Sequence, residues 1–119
     1  MTRTVLIVDD HPAVRRAARR VLEEDGFEVV AEKGSAQEAI EAADELRPGI
    51  VVLDVTLPDA DGVEVAKRLT ATDGHDAPAV VLTSSRARDD LGDAVEDCGA
   101  LGFIAKDQLS GPAIEALAA

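Results

Sequence analysis

Hydrophobic positions along the chain follow two alternating rhythms. Residues 4–8 (TVLIV), 27–31 (FEVVA), 50–53 (IVVL), 79–82 (AVVL) and 101–105 (LGFIA) are short and mostly unbroken apolar runs. Such runs are the pattern of strands buried on both faces. Between them the apolar positions recur at helical spacing. Val14, Ala17, Ala18, Val21 and Leu22 line one face of a helix over 12–24, and Gly26 stops it. Ser35, with Glu38 three places on, forms a capping box for a helix over 35–46 whose stripe is Ala36, Ala39, Ile40 and Ala43. Val63, Ala66 and Leu69 mark a third helix over 62–71. Ala87, Leu91, Ala94, Val95 and Cys98 mark a fourth over 86–98, and a short helix closes the chain over 109–118.

Five βα units, without repeat, low-complexity run or linker, predict one domain over residues 1–119. The expected fold is α/β: a doubly wound five-stranded parallel sheet of order 2-1-3-4-5, flavodoxin-like, with helices on both faces. Chemistry in such sheets gathers at the carboxyl ends of the strands. Those ends carry Asp9-Asp10, Glu32-Lys33, Asp54, Thr83-Ser84-Ser85 and Lys106-Asp107. In the expected order, three carboxylates, two or three hydroxyls and one ammonium share one edge. Three carboxylates together suit a hard divalent cation such as Mg²⁺, which takes oxygen ligands and keeps several waters. One carboxylate can also act as a nucleophile toward phosphorus, with the lysine and a hydroxyl holding phosphoryl oxygens.

Charge and composition narrow the choice. The 119 residues carry a net charge of −12. That argues against a nucleic-acid surface, which needs a basic patch, and against docking on anionic lipid. There are two Phe, no Tyr and no Trp, which removes aromatic cages and base-stacking platforms. The single cysteine, Cys98, excludes an internal disulfide, and its place on a helical stripe reads as core. No apolar run approaches the ~20 residues that span a bilayer. The N-terminus enters a strand within a few residues, so no signal peptide is expected and the expected location is cytoplasmic.

The stretches "VLIVDDHP", "VVLDVTLPDADG", "VVLTSS" and "GFIAKD" together resemble the receiver domain of bacterial two-component response regulators. "DDHP" and "KD" are most similar to the subfamily that usually carries a C-terminal helix-turn-helix output domain. The resemblance implies a regulatory phospho-acceptor and not an enzyme. It would help catalyse its own phosphorylation and slow dephosphorylation, with a sensor histidine kinase as donor. By the same resemblance Asp54 is the phosphorylated aspartate. Asp10 is the direct Mg²⁺ ligand, Asp9 acts through water, and the Thr56 backbone carbonyl is a further ligand. Thr83, Ser84 and Lys106 bind the phosphoryl group, Thr83 and Phe103 form the switch, and Thr56 and Ser85 tune the lifetime of the phosphate. The output surface implied is the fourth helix, the fifth strand and the last helix. It would act on a DNA-binding domain that follows, or through a self-dimer.

Plainer readings stand beside these. Asp9-Asp10 suit a helix cap, Thr83 an ordinary strand position, and Phe103 a core aromatic. Asp59 and Asp61 read as solvated turn acids. His75 has no partner at fixed spacing, and His11 reads as a neighbour that modulates the acids. Arg15, Arg16, Arg19 and Arg20 read as a solvated face paired with Glu23 and Glu24, ahead of a kinase-docking surface. Gly92, with Asp89, Asp90 and Asp93, would weaken the fourth helix. Two other classes compete: an aspartate-nucleophile phosphatase, which usually needs a second acid where Thr56 stands, and a receiver-like fold kept only for protein binding.

Overall fold

The computed structural model describes residues 3–71, 78–84 and 99–118. The fourth predicted helix, with Gly92 and Cys98, lies outside these residues, as do Ser85 and His75. The elements run β1 (Thr4–Val8), α1 (Pro12–Glu24), β2 (Glu28–Lys33), α2 (Ala36–Leu46), β3 (Ile50–Asp54), α3 (Gly62–Thr70), β4 (Ala79–Ser84) and β5 (Gly102–Ala105). A 3₁₀ turn (Lys106–Gln108) and the C-terminal helix (Gly111–Ala118) follow. All strand pairs are parallel and their order is β2-β1-β3-β4-β5, as the pattern predicts.

The core divides by strand parity. Leu6, Val8, Val51, Leu53, Val80 and Leu82 face one side and pack with Ala36, Ala39 and Ala42 of α2 and Val63, Val65, Ala66 and Leu69 of α3. Val5, Ile7, Ile50, Val52 and Val81 face the other side, with Ala18 and Leu22 of α1 and Ile114 of the C-terminal helix. Both faces of the central strands are therefore covered, which is why their runs are apolar without alternation. On α2, Ala42 is buried, while Ile40 and Ala43 are only half-buried against the core. On α1, only Ala18 and Leu22 are buried. Val14 and Val21 are half-buried and Ala17 is exposed.

Element ends depart from the pattern where local hydrogen bonds decide. β2 begins one residue after the buried Phe27 and runs on to Lys33. The C-terminal helix begins two residues late because Lys106–Gln108 close a separate turn. The Ser110 hydroxyl then accepts the Ala113 N–H (3.1 Å). Ser35 does cap α2, accepting the Glu38 N–H at 3.3 Å. The Glu38 carboxylate, however, meets the Ser35 hydroxyl (3.1 Å) instead of completing the reciprocal backbone bond.

The two turn acids are exposed, as expected, and each also caps a helix. The Asp59 carboxylate accepts the N–H groups of Ala36 (2.8 Å) and Gln37 (3.1 Å), and so caps α2 from the β3–α3 loop. These two N–H bonds hold its pKa below the ordinary carboxylate value. Asp61 caps α3 by accepting the Val63 N–H (2.8 Å). The arginines of α1 also differ from expectation. Arg19 reaches Glu23 (3.5 Å) but binds Glu32 of β2 more closely (2.7 Å), and Arg15 also turns to Glu32.

Gly62 is where the loop after β3 presses back on the strand that feeds it. Its N–H donates to the Val55 carbonyl (2.6 Å). A Cβ there would stand 2.3 Å from the Asp54 carbonyl oxygen and 2.6 Å from Val55 Cα, both backbone atoms with no side-chain freedom. Gly62→Ala is expected to lower stability by about 1–3 kcal/mol through overpacking, read as the urea or thermal midpoint. A midpoint equal to wild type would show that this contact does not hold the loop.

Candidate functional site

The strand ends meet at the carboxyl edge of the sheet. The Asp9 N–H donates to the Lys33 carbonyl (3.0 Å), extending the β1–β2 ladder by one bond. The Asp9 side chain turns inward, and the residue is 3 % exposed. Its neighbour Asp10 keeps a side chain that is 37 % exposed. The two adjacent acids are thus divided between interior and surface. Asp54 closes β3, also 3 % exposed, and lies opposite Thr83 of β4. The Val55 N–H donates to the Thr83 carbonyl (2.9 Å) and locks that register. Thr83 and Ser84 are buried, and Ser84 lies opposite Ala105 of β5.

Lys106 follows β5 and joins these ends. Its Nζ lies 2.8 Å from Asp9 Oδ2 and 3.2 Å from Asp54 Oδ2. Burial lowers the affinity of this ammonium for its proton, but the hydrogen bonds and charges of Asp9 and Asp54 outweigh that. Its pKa stands above the ordinary lysine value. Asp54 is the converse case. Burial raises its carboxyl above the usual carboxylate range, the Asp9 charge adds to the rise, and the Thr56 N–H and Lys106 oppose it without cancelling it. Two buried carboxylates thus share one cation, and the second negative charge is still costly.

The surroundings complete the acidic corner. The exposed Thr56 donates its N–H to Asp54 Oδ1 (3.1 Å). The His11 N–H donates to Asp9 Oδ1 (2.9 Å), and its Nδ1 lies 3.1 Å from that atom and 2.9 Å from Asp10 Oδ1. The N-cap of α1 is His11, whose side chain makes no capping bond; the capping reading of the acids therefore reduces to the single bond from the His11 N–H to Asp9. Phe103 is half-buried and packs on the core side shared with α2 and α3.

The donor set fits Mg²⁺. Ligand atoms from Asp9, Asp10, His11 and Asp54 lie within 4.8 Å of one another, and three of the four are carboxylate oxygens. The exposed side of Asp10 leaves room for the waters that Mg²⁺ retains. Among the described residues, no buried side-chain nitrogen or oxygen lacks a partner. No helix among them is long and apolar enough to cross a membrane.

The sequence reading brought Asp9, Asp10, Asp54, Thr83 and Lys106 to one edge, and the structure has them together there. His11 stands beside both acids, as the reading had it; the reading did not foresee the tie of Arg15 to the Asp9 carbonyl or the cap that Asp59 supplies to α2. The only signal for Arg15 was a basic residue in the first turns of a helix that leaves the acids.

Known proteins of the same build were found in three comparisons. A family model described as the response regulator receiver domain matches residues 5–117. The chain is 40% identical over 116 residues to the nitrate/nitrite response regulator protein NarP of Escherichia coli, covering 97% of this chain and 53% of that protein. It is 38% identical over 104 residues to the transcriptional regulatory protein PdtaR of Mycobacterium tuberculosis, covering 87% of this chain and 49% of that one. The chain therefore spans about half the length of the curated relatives it matches. A crystal structure of a LuxR-family two-component response regulator from Aurantimonas superposes with a TM-score of 0.84 at 36% identity, covering 99% of this chain and 86% of the other. With the sheet order, the acidic corner and these matches in agreement, the chain belongs to the response regulator receiver domain family.

Proposed function

We propose that this domain is phosphorylated on Asp54 by the phosphohistidine of a sensor histidine kinase, and that Mg²⁺ is bound during the transfer. The observation that carries the reading is the Lys106 ammonium between Asp9 and Asp54 at the carboxyl edge. A lysine held beside a buried carboxylate is poised to pair with phosphoryl oxygens as they arrive. In the transfer, an Asp54 carboxylate oxygen forms the new O–P bond. The N–P bond of the phosphohistidine breaks, and its electron pair returns to the imidazole nitrogen, which takes up a proton. Mg²⁺, when bound, neutralises charge on the phosphoryl oxygens.

Asp10, Asp54 and the Thr56 carbonyl ligate the metal, and Asp9 acts through water. The open side chain of Asp10 and the engagement of Asp9 with Lys106 support that division. Thr83, opposite Asp54 in the sheet, and Ser84 bind the phosphoryl oxygens with Lys106. Thr83 and Phe103, on adjacent strands, form the switch. Thr56 and Ser85 set the lifetime of the phosphate. Phosphorylation shifts an equilibrium between two packings of the β5 face.

That face carries the output, to a DNA-binding domain beyond this chain or to a second copy of it. The described parts of the face include Leu101, which is exposed, and Leu117, which packs over Gly102. The double length of NarP and PdtaR supports a longer regulator, and the net charge of −12 supports leaving DNA binding to another domain. Histidine kinase domains and transcription are both met in the cytoplasm, which is the location proposed. For kinase docking, the half-covered stripe of α1 is the supporting feature. Val14, Ala17 and Val21 line a cavity of about 470 Å³ that reaches Asp9, Thr83 and Lys106.

Acetyl phosphate with Mg²⁺ is expected to phosphorylate Asp54, read by intact-mass and peptide mass spectrometry, and Asp54→Asn is expected to take up none. Equal labelling of Asp54→Asn would remove Asp54 as the acceptor. The raised pKa of Asp54 makes a second prediction, with the sign worked through linkage. A carboxyl whose folded pKa lies above its unfolded value of about 3.9 favours the fold when protonated, and that contribution is lost as pH rises through the folded value. Without metal, Asp54→Asn is therefore expected to melt higher than wild type at pH 7, and the gap is expected to close as pH falls toward 4. A gap that stays constant over this range would show that Asp54 ionisation does not burden the fold.

A further inference from the structure

Two of the acids at the edge, Asp9 and Asp10, share one backbone corner after β1, and one side chain outside the corner ties that backbone down. Arg15, in the second turn of α1, sends its Nη1 to the carbonyl oxygen of Asp9 (2.5 Å). Its Nε faces Glu32 Oε1 at 3.7 Å, and both side chains are largely buried. Glu32 is held from its other oxygen by Arg19 (2.7 Å), which also donates to the Val29 carbonyl (3.2 Å). The guanidinium of Arg15 passes directly over Gly34, where a Cβ would stand 3.1 Å from Nη1. The slot is thus built from a fixed carboxylate on one side and the absence of a side chain on the other.

We propose that Arg15 is a positioning residue for the metal-binding acids, acting through the Asp9 carbonyl. The peptide between Asp9 and Asp10 is planar, so holding its oxygen restrains the plane and with it the Asp10 N and Cα from which that side chain departs. The preceding peptide plane is held as well, because the Asp9 N–H donates to the Lys33 carbonyl (3.0 Å). Both planes that flank the Asp9 Cα are therefore pinned. The Arg15 bond is charge-assisted and anchored by Glu32, which makes it stiffer than a water-mediated tie. Asp10 is exposed and its carboxylate lies 2.9 Å from His11 Nδ1, so the backbone hold sets the point from which that carboxylate reaches either His11 or a metal. Outer groups that orient ligands in this way carry a substantial share of metal affinity.

The inference rests on the Mg²⁺ reading of the corner, and the experiment separates the two. Mg²⁺ is titrated into the full 119-residue chain and followed by ¹H–¹⁵N NMR, for wild type, Arg15→Ala, Arg15→Lys and Arg16→Ala. Direct electrostatics and positioning predict opposite signs. Deleting a cation close to a divalent-ion site should tighten binding if charge alone mattered. Positioning predicts that Arg15→Ala weakens Mg²⁺ binding by about 10-fold or more, that Arg15→Lys recovers part of it, and that Arg16→Ala, a neighbouring exposed cation, leaves it unchanged. Should Arg15→Ala fail to fold, Gly34→Ala, which displaces the guanidinium without deleting it, must weaken binding in its place. Mg²⁺ affinity in Arg15→Ala equal to or above wild type, or an equal loss in Arg16→Ala, overturns the role of Arg15 and leaves the metal reading intact. A wild-type chain that binds no Mg²⁺ overturns both.

Discussion

Two buried carboxylates, Asp9 and Asp54, share the single ammonium of Lys106, and the site is organised around that imbalance. Each buried charge needs a partner to offset its desolvation, and here two buried anions meet one half-buried cation. Burial raises the pKa of Asp54, and the Asp9 charge adds to the rise. Such a centre favours whatever brings further positive charge, and it disfavours further negative charge unless that charge comes with a cation. A divalent ion and a phosphoryl group together satisfy both conditions. The acids adjacent in sequence are not redundant in this scheme. Asp9 is committed to the interior and Asp10 is left open at the surface.

The rest of the fold serves to bring these strand ends to one edge. Parallel pairing in the order β2-β1-β3-β4-β5 sets the ends of β1, β3, β4 and β5 side by side, and apolar side chains on both faces fix the register. A slip of one residue would send every side chain of a strand to the opposite face. The Asp54–Thr83 pairing therefore rests on Val51, Leu53, Val80 and Leu82 as much as on local contacts. The loops then hold the edge. Gly62 lets the chain after Asp54 close against its own strand, Asp59 joins that loop to α2, and Arg15 joins α1 to the Asp9 carbonyl.

Strand identity and order were legible because buried parallel strands leave an unambiguous apolar signal, and their polar ends then marked the site. What was not legible depends on long, flexible side chains that choose between partners. Arg19 makes the expected i,i+4 pair with Glu23 but binds Glu32 more closely, and Arg15, which has no acid at helical spacing, also turns to Glu32, which no local rule connects to them. Asp59 looked like a turn acid because its partners, Ala36 and Gln37, lie more than 20 residues away. The uncovered apolar positions of α1 were equally hidden. A helical stripe shows that a face is apolar, but not that the packed sheet covers only Ala18 and Leu22 of it.

The most direct measurement of the central claim is the thermal midpoint of the chain at pH 7 as Mg²⁺ is added after chelation. A ligand that binds only the folded state must raise the midpoint with the logarithm of its concentration above Kd. The account predicts a single-site rise of this logarithmic form for wild type that is largely lost in Asp10→Asn. A midpoint that ignores Mg²⁺, or one that rises equally in Asp10→Asn, would contradict it.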